Sequence, residues 1–244
     1  MDCIFEKTHT VEPIAVDRYG RLLPSMALRY AQEIAGEHCE RISFSYGQLA
    51  QRGLFWAVVR NRLQIHRMPT VGEQIRLRTW PMPTTRTAYP RATEALDQNG
   101  EVLFRSVSLW VLMDRDQRTM VLPAKSDVVV EGALLGTEPE GPRSLPPLTE
   151  GDCRTRQVCY TDLDRNGHMN NAKYLDWVFD LLPASFHRDH PAADMTLCYL
   201  NEALEGQTLT LLHRFHSDGQ FLVDIRRENG QDHDRIFSAR IDVT

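Results

Sequence analysis

The sequence predicts an α+β protein built from two copies of one plan, in which a helix is followed by mainly antiparallel strands. Each half holds one segment with apolar residues at helical spacing, and short strands with turn signals come after it. A stretch rich in proline and glycine lies between the halves, and the two halves superimpose in sequence around Gly72 and Gly206. Helix, strand order and glycine positions agree, which favours duplication over chance similarity.

In the first half, residues 22–39 place apolar side chains at positions 23, 26, 27, 30 and 34, which predicts a helix with Pro24 in its first turn. Residues 54–65 predict a strand with one apolar face, formed by Phe55, Ala57, Val59, Leu63 and Ile65. A further strand is expected over 71–80. Two more over 92–113 are joined by a turn at Asn99-Gly100.

Residues 131–150 contain four proline, three glycine and four glutamate residues, a composition that sustains neither helix nor strand. We interpret this stretch as a linker. It separates an N-terminal unit, residues 1–130, from a C-terminal unit, residues 151–244.

The second half repeats the pattern. Apolar residues at 174, 177, 178, 181 and 182 predict a helix, and residues 196–243 predict strands with turns at Asp218-Gly219 and Asn229-Gly230. The stretch DRNGHMN from Asp164 matches DRYGRLL from Asp17.

Composition excludes several classes of protein. The 244 residues are 42% hydrophobic and 25% charged, with a net charge of −5 that argues against a nucleic-acid binder. No segment has the roughly 18 consecutive apolar residues of a membrane span, and residues 1–10 lack the apolar core of an export signal. The five cysteines are scattered without a C-x-x-C pair, so we expect no zinc site and no disulfide framework, in a reducing cytoplasm.

Short polar side chains crowd the entry to the second helix. They are Asp164, Asn166, His168, Asn170 and Asn171. Helix capping accounts for one or two of them. A helix start also offers unpaired N–H groups and a positive field that can hold a developing oxyanion, and a histidine there can titrate near neutral pH. At the matching positions the first half has Tyr19 and Arg21, so only the second copy carries chemistry-capable groups.

The stretch DRNGHMNNAKY, residues 164–174, resembles the Asp-x-Asn-x-His-x-Asn-Asn-x-x-Tyr signature of the plant and bacterial acyl-acyl carrier protein thioesterases. Residues 54–81 and 104–123 resemble first-half strands of the same family, so the resemblance covers nearly the whole chain. The plan resembles two tandem hotdog units, each a long helix wrapped by a mainly antiparallel sheet. The activity implied is hydrolysis of fatty acyl-acyl carrier protein, which releases free fatty acid and ends chain elongation.

The resemblance implies a catalytic set of Asp164, Asn166, His168 and a glutamate on the following strand, matched by Glu202. As a hypothesis, Glu202 activates water while His168 orients it or shares the proton, and Asn166 donates to the thioester carbonyl. Asp164 holds its neighbours or is itself the base, and the sequence leaves both roles open. The plant enzymes usually have cysteine after this glutamate; the residue here is Ala203, so no cysteine nucleophile is needed.

The resemblance places an acyl pocket between the first helix and its sheet. The substrate-binding candidates are Met26, Tyr30, Ile34, Phe55, Ala57 and Val59, together with Asn170 and Asn171, which we expect to hold the loop. Alternatively, the apolar residues of this set simply pack in the hydrophobic core and line no pocket. No cofactor and no metal are expected.

The expected partner is acyl carrier protein with its phosphopantetheine-linked acyl chain. We also expect that two copies of the chain can form a homodimer. The first half has a local excess of positive charge that would steer this acidic partner towards it. The arginines that carry this charge are Arg60, Arg62, Arg67, Arg76, Arg78, Arg86 and Arg91. An acyl-coenzyme A thioesterase of the hotdog type and a non-catalytic acyl-binding module remain as alternatives.

Overall fold

The structure, a computed structural model, describes residues 3–190, 193–216, 219–229 and 232–243. The chain divides into two compact units, Met1–Pro142 and Arg143–Thr244. Within the described ranges, no helix combines the length and the apolar character needed to cross a bilayer.

The first unit is one antiparallel sheet with two helices. Its elements are β1 (Phe5–Thr10), α1 (Pro24–Arg41), α2 (Tyr46–Ala50), β2 (Leu54–Ile65), β3 (Gln74–Pro81), β4 (Tyr89–Leu96), β5 (Val102–Asp114) and β6 (Met120–Val121). The strands follow the order β1-β3-β4-β5-β2, and β6 pairs with β5. The predicted turn joins β4 to β5, and Gly100 adopts a φ of +86° there, a backbone conformation that glycine reaches without strain.

Helix α1 packs on one face of this sheet, which we call the inner face. The ring of His38 on α1 stacks on Phe5 of β1, and Tyr30 meets His9. The guanidinium of Arg91 on β4 lies 3.0 Å from Nδ1 of His38. The helix begins at Pro24, in accord with the proline at its first turn, and it runs to Arg41.

Strand β2 departs from the predicted alternation. Val58 pairs with Trp110 and Arg60 with Leu109, so Val59 is an extra residue in a β-bulge. Paired residues share a sheet face and successive residues alternate. Arg91 on β4 faces α1, β4 pairs with β5, and β5 pairs with β2. When the faces are followed across these pairs, Leu63 and Ile65 lie on the inner face, and Phe55 and Ala57 lie on the outer face. The expectation of one apolar face through all five residues is wrong, because the bulge inverts the alternation.

The second unit repeats the architecture. Its elements are β7 (Asp152–Gln157), α3 (Asn171–Phe179), α4 (Ala184–Asp189), β8 (Ala193–Tyr199), β9 (Thr208–Phe215), β10 (Gln220–Asn229) and β11 (Asp232–Val243). Strands β8-β11-β10-β9-β7 are neighbours in that order. Tyr174 of α3 stacks on Phe237 of β11, which defines the inner face of this sheet.

Some expected details of both units need correction. A strand precedes the long helix in each, β1 before α1 and β7 before α3, because each pairs with a later strand along the chain. Helix α3 ends at Phe179, so Leu181 and Leu182 lie beyond it. Of the expected second-half turns, Asp218 and Gly230 fall outside the described residues.

Corresponding backbone hydrogen bonds show the repeat at atomic level. The N–H of Leu22 donates to the carbonyl of Pro69 at 2.8 Å, and that of Met169 to the carbonyl of Ala203 at 2.9 Å. Gly72 donates to Val11 and Gly206 to Val158, each at 2.9 Å. The match aligns Pro69 with Ala203, and hence Met68 with Glu202.

Residues 131–150 form neither helix nor strand, yet they are held to the outer sheet faces. In the first unit, the indole of Trp80 donates to Glu138 and Arg62 donates to the carbonyl of Glu140, each at 3.0 Å. In the second unit, the N–H of Leu148 donates to the buried carboxylate of Asp224 at 2.9 Å. The segment is therefore a packed strap and does not behave as a free spacer.

Candidate active site

The loop before α3 is organised around Asp164. Its Oδ1 accepts the backbone N–H groups of Asn166 at 2.8 Å and His168 at 3.4 Å. Its Oδ2 accepts the side-chain amide of Asn166 at 3.3 Å. The turn closes with Gly167 at a φ of +79°. An aspartate that accepts the N–H two residues ahead forms a turn by itself, so this carboxylate fixes the positions of Asn166 and His168.

The two following asparagines build the start of α3. The Oδ1 of Asn170 accepts the N–H of Ala172 at 2.9 Å, which makes Asn170 the N-cap. Asn171 is the first helical residue, and its carbonyl accepts the hydroxyl of Tyr199 at 3.3 Å. Both contacts are structural ones that position the loop.

Glu202 lies in the loop after β8, which ends at Tyr199, and its expected place on a strand is wrong. The bond from Met169 to Ala203 and the bridge between His168 and Leu204 hold this loop against residues 164–170, which we call the reactive loop. As a result, Oε1 of Glu202 lies 3.4 Å from Nδ1 of His168. The side chains are 50% and 24% exposed, so solvent water can reach the pair.

The Glu202 loop is held by two residues, Gln207 and Arg227, that no sequence motif indicated. The N–H of Leu204 donates to Oε1 of Gln207 at 3.0 Å. The guanidinium of Arg227 on β10 donates to that same oxygen at 3.1 Å and to the carbonyl of Glu202 at 3.4 Å. No local pattern marks Gln207 and Arg227, because their role depends on the pairing of distant strands.

Tyr174 and Trp177 of α3 are buried core residues. Burial raises the pKa of the Tyr174 phenol, and the nearby Tyr199 and the Glu202 carboxylate raise it further, whereas the backbone amide of Ala203 opposes the shift through a hydrogen bond. The phenol thus lies beside the Glu202–Ala203 segment as a neutral group.

The first unit forms the same turn without the reactive groups. The Oδ1 of Asp17 accepts the N–H of Tyr19 at 2.8 Å and that of Arg21 at 3.0 Å. Arg21 stands where His168 stands and is paired with Asp17. The buried Met68 stands at the place of Glu202. The aspartate therefore belongs to the shared turn, whereas the histidine and the glutamate occur in the second unit alone.

The expected acyl-lining residues do not come together as one set. Tyr30 and Ile34 are buried on α1, and Met26 is half-buried there. Phe55 and Ala57 are on the opposite face of the sheet, so their placement between helix and sheet is a wrong expectation, and Val59 is the extra residue of the bulge. The layer also holds the buried Arg91, whose guanidinium donates to Thr79 at 3.3 Å.

The expected arginine surface of the first unit is largely engaged within the unit. Arg91 is buried, Arg67 pairs with Glu73 at 2.7 Å, and Arg78 pairs with Glu94 at 2.9 Å. Arg76 and Arg86 are exposed. The positive excess available to a partner is therefore smaller than the sequence suggested.

The described part of the chain shows neither a cluster of metal-ligating side chains nor a disulfide. No group of three or more histidine, cysteine, aspartate or glutamate residues is arranged to hold a metal ion there. Within the same ranges no disulfide joins any of the cysteines.

Relatives of this chain were found among curated proteins. The palmitoyl-acyl carrier protein thioesterase, chloroplastic, of Gossypium hirsutum is 26% identical over 190 residues, which cover 72% of this chain and 46% of that protein. The dodecanoyl-[acyl-carrier-protein] hydrolase, chloroplastic, of Umbellularia californica is 27% identical over 226 residues, covering 86% and 59%. The chain spans about half the length of the curated relatives it matches.

Solved structures share the fold. An acyl-ACP thioesterase from Bacteroides thetaiotaomicron superimposes with a TM-score of 0.87 at 21% identity, covering 100% of this chain and 98% of that one. The 12:0-ACP thioesterase from Umbellularia californica gives 0.82 at 22% identity, with the same coverage of 100% and 98%. The fold is α+β, with two tandem hotdog units.

Two family descriptions match nearly the entire chain. The acyl-ACP thioesterase N-terminal domain matches residues 2–129, and the acyl-ACP thioesterase C-terminal domain matches residues 147–240. The chain belongs to the acyl-ACP thioesterase family.

Proposed function

We propose that this protein hydrolyses the thioester of fatty acyl-acyl carrier protein, which releases free fatty acid and ends chain elongation. The observation that carries the proposal is the contact between His168 and Glu202 at 3.4 Å, beside a loop that presents Asn166. This combination occurs in one unit, while the other keeps the same backbone turn with Arg21 and Met68 instead. Family membership supports the same activity.

In the proposed mechanism, Glu202 removes a proton from the attacking water. Its carboxylate is half-exposed and can reach such a water. His168, whose Nδ1 atom lies beside this carboxylate, orients the water or shares the proton. The water oxygen bonds to the thioester carbonyl carbon, and collapse of the tetrahedral intermediate breaks the C–S bond and releases the thiolate, which takes up the proton removed from the water. No cofactor takes part in these steps.

The oxyanion needs a donor aimed at the thioester carbonyl. Asn166 is the proposed donor, since its side-chain amide carries N–H groups and Asp164 holds this amide in the loop at 3.3 Å. Asp164 is assigned as the positioning group and not as the base. Its oxygens accept three hydrogen bonds from the loop, and Asp17 organises the matching turn in the unit that lacks a base.

The carrier, the assembly and the compartment are proposals of the same kind. Acyl carrier protein with its phosphopantetheine arm is the proposed carrier. Because Arg67, Arg78 and Arg91 are engaged within the first unit, acyl-coenzyme A is the alternative carrier.

A homodimer is proposed for the assembly, to be tested by molar mass in solution. The cytoplasm is the proposed compartment, supported by cysteines without disulfides in the described residues.

The decisive experiment compares two carriers. The chain is assayed on acyl carrier protein thioesters of increasing acyl length and on coenzyme A thioesters of the same acyl groups. A higher kcat/KM on carrier protein thioesters is expected at the preferred length. A higher value on coenzyme A thioesters would favour the second carrier, and saturable binding without turnover on either would indicate an acyl-binding module.

A further inference from the structure

We infer that Asp162 is a positioning residue for the reactive loop and acts through Trp177; this inference rests on the proposed function. Asp162 is 5% exposed in the short turn before the loop. Its Oδ2 accepts the N–H of Cys159 at 3.0 Å, and its Oδ1 accepts the indole N–H of Trp177 at 3.4 Å. The carboxylate therefore joins the turn that precedes the loop to the helix that follows it.

The reactive loop lies between these two attachment points. The backbone carbonyl of Asp162 accepts the N–H of Asn170 at 2.8 Å, and Leu163 forms a bridge with Met169. The base of the loop is thus closed by backbone bonds, while the side chain of Asp162 sets where α3 lies relative to that base. A shift of α3 would move the cap at Asn170 and, with it, His168.

Trp177 is suited to transmit this restraint because its own ring is held firmly. The indole is buried on α3, and the guanidinium of Arg156 on β7 lies 4.6 Å from the ring centroid. Arg156 is paired in turn with Asp180 at the end of α3, at 2.6 Å. The indole N–H therefore stays directed at Asp162.

The first unit shows whether the turn needs a carboxylate at the position of Asp162. Ala15 stands at the position of Asp162 and Tyr30 at that of Trp177. Ala15 donates to the carbonyl of Glu12 at 2.9 Å and accepts from Leu23 at 2.9 Å, the same bonds that Asp162 makes with Cys159 and Asn170. The turn consequently forms without a carboxylate.

Burial of a carboxylate is costly even when it is hydrogen-bonded. Asp162 carries this free-energy cost at a position where alanine supports the same turn in the first unit. The carboxylate therefore has a role other than forming the turn. It occurs in the unit that carries His168 and Glu202, and so we assign it to the geometry of that pair. A purely structural role would predict a loss of stability with no dependence on His168.

The test uses Asp162→Asn and Trp177→Phe, each alone and in the His168→Ala background. Alone, each should lower kcat about 10- to 100-fold with little change of KM, because misplacement by about an ångström costs on that order. In the His168→Ala background, either substitution should add less than about 3-fold, since residues that act through one group are not additive. A multiplicative loss in that background would overturn the assignment. If Asp162→Asn does not fold, Trp177→Phe carries the test, because phenylalanine keeps an aromatic ring in the core and removes the donor, at the cost of the space that the smaller ring leaves.

The matched control is Asp224→Asn. Asp224 is also buried in the same unit, at 2% exposure, but its partners are the strap and the outer sheet face. This variant should lose stability while the kcat of the folded protein stays unchanged.

A second measurement does not need activity. Amide hydrogen exchange at Gly167 and His168 should be faster in Asp162→Asn than in the wild type, and unchanged in Asp224→Asn. Unchanged exchange in Asp162→Asn would overturn the inference. If the wild type hydrolyses no acyl thioester, the proposed function fails, and the exchange measurement still decides the role of Asp162.

Discussion

The Oε1 atom of Glu202 lies 3.4 Å from Nδ1 of His168, although the two residues belong to different loops. The bond from the N–H of Met169 to the carbonyl of Ala203 sets this distance, because each partner is adjacent to one member of the pair. The first unit makes the corresponding bond from Leu22 to Pro69, with Arg21 and Met68 beside it. The reactive pair is therefore a change of side chains on a duplicated backbone.

Replacing His168 by alanine should reduce kcat by ~10²–10⁴-fold, the usual contribution of a positioned acid–base group. The side chain is 24% exposed and its main turn contacts are made by the backbone, so the melting temperature should change little. Turnover and thermal melting are measured on one preparation. The control is Arg21→Ala in the first unit, which should retain activity. A folded His168→Ala variant with normal turnover would remove His168 from the mechanism.

Replacing Glu202 by glutamine should lower turnover by roughly two orders of magnitude or more, because the amide keeps the shape but cannot accept the proton. The carboxylate is half-exposed, so the melting temperature should hold. Glu205→Gln is the matched control, since Glu205 is an exposed glutamate of the same loop. Near-normal turnover of the Glu202 variant would return Asp164 to consideration as the base.

Replacing Ala203 by cysteine should not raise activity. The residue lies in a loop and its side chain is 0% exposed, so an added sulfur would be buried away from substrate. Overpacking there should cost about 1–3 kcal/mol in the free energy of unfolding. A gain of activity that thiol reagents abolish would contradict this prediction.

The stability of the second unit should fall in acid through Asp224. Burial raises the pKa of this carboxyl, but hydrogen bonds from Ser238, the N–H of Leu148, Arg226 and Arg235 outweigh it and hold the pKa below the ordinary value. A depressed pKa in the folded state means that the stabilisation is present above the unfolded pKa of about 3.9 and is lost as the pH falls through the folded value.

Urea unfolding from about pH 6 to about pH 3 measures this effect of Asp224. The wild type should lose unfolding free energy towards the acid end. Asp224→Asn should start lower and show a shallower pH dependence. Parallel curves for the two proteins would show that Asp224 does not contribute to acid sensitivity.

Features that depend on local chemistry could be predicted from the sequence. Periodic apolar residues marked α1 and most strands, Pro24 marked the beginning of the first helix, and Asn99-Gly100 marked a turn. The duplication was visible because Gly72 and Gly206 occupy turns that both units need. The signature from Asp164 to Tyr174 indicated the family because its polar residues are contiguous in the chain.

Which side chains meet depends on contacts between segments that are distant in sequence. A single extra residue at Val59 turned Phe55 and Ala57 to the outer face, and a bulge of this kind depends on pairing with a distant strand. The position of Glu202 in a loop and the burial of Arg91 are set by contacts between segments far apart in sequence. The same holds for Asp162, which meets Trp177 only when α3 packs on the preceding turn. Local patterns specify the conformation of a segment, whereas its neighbours follow from long-range pairing and packing, which no local pattern encodes.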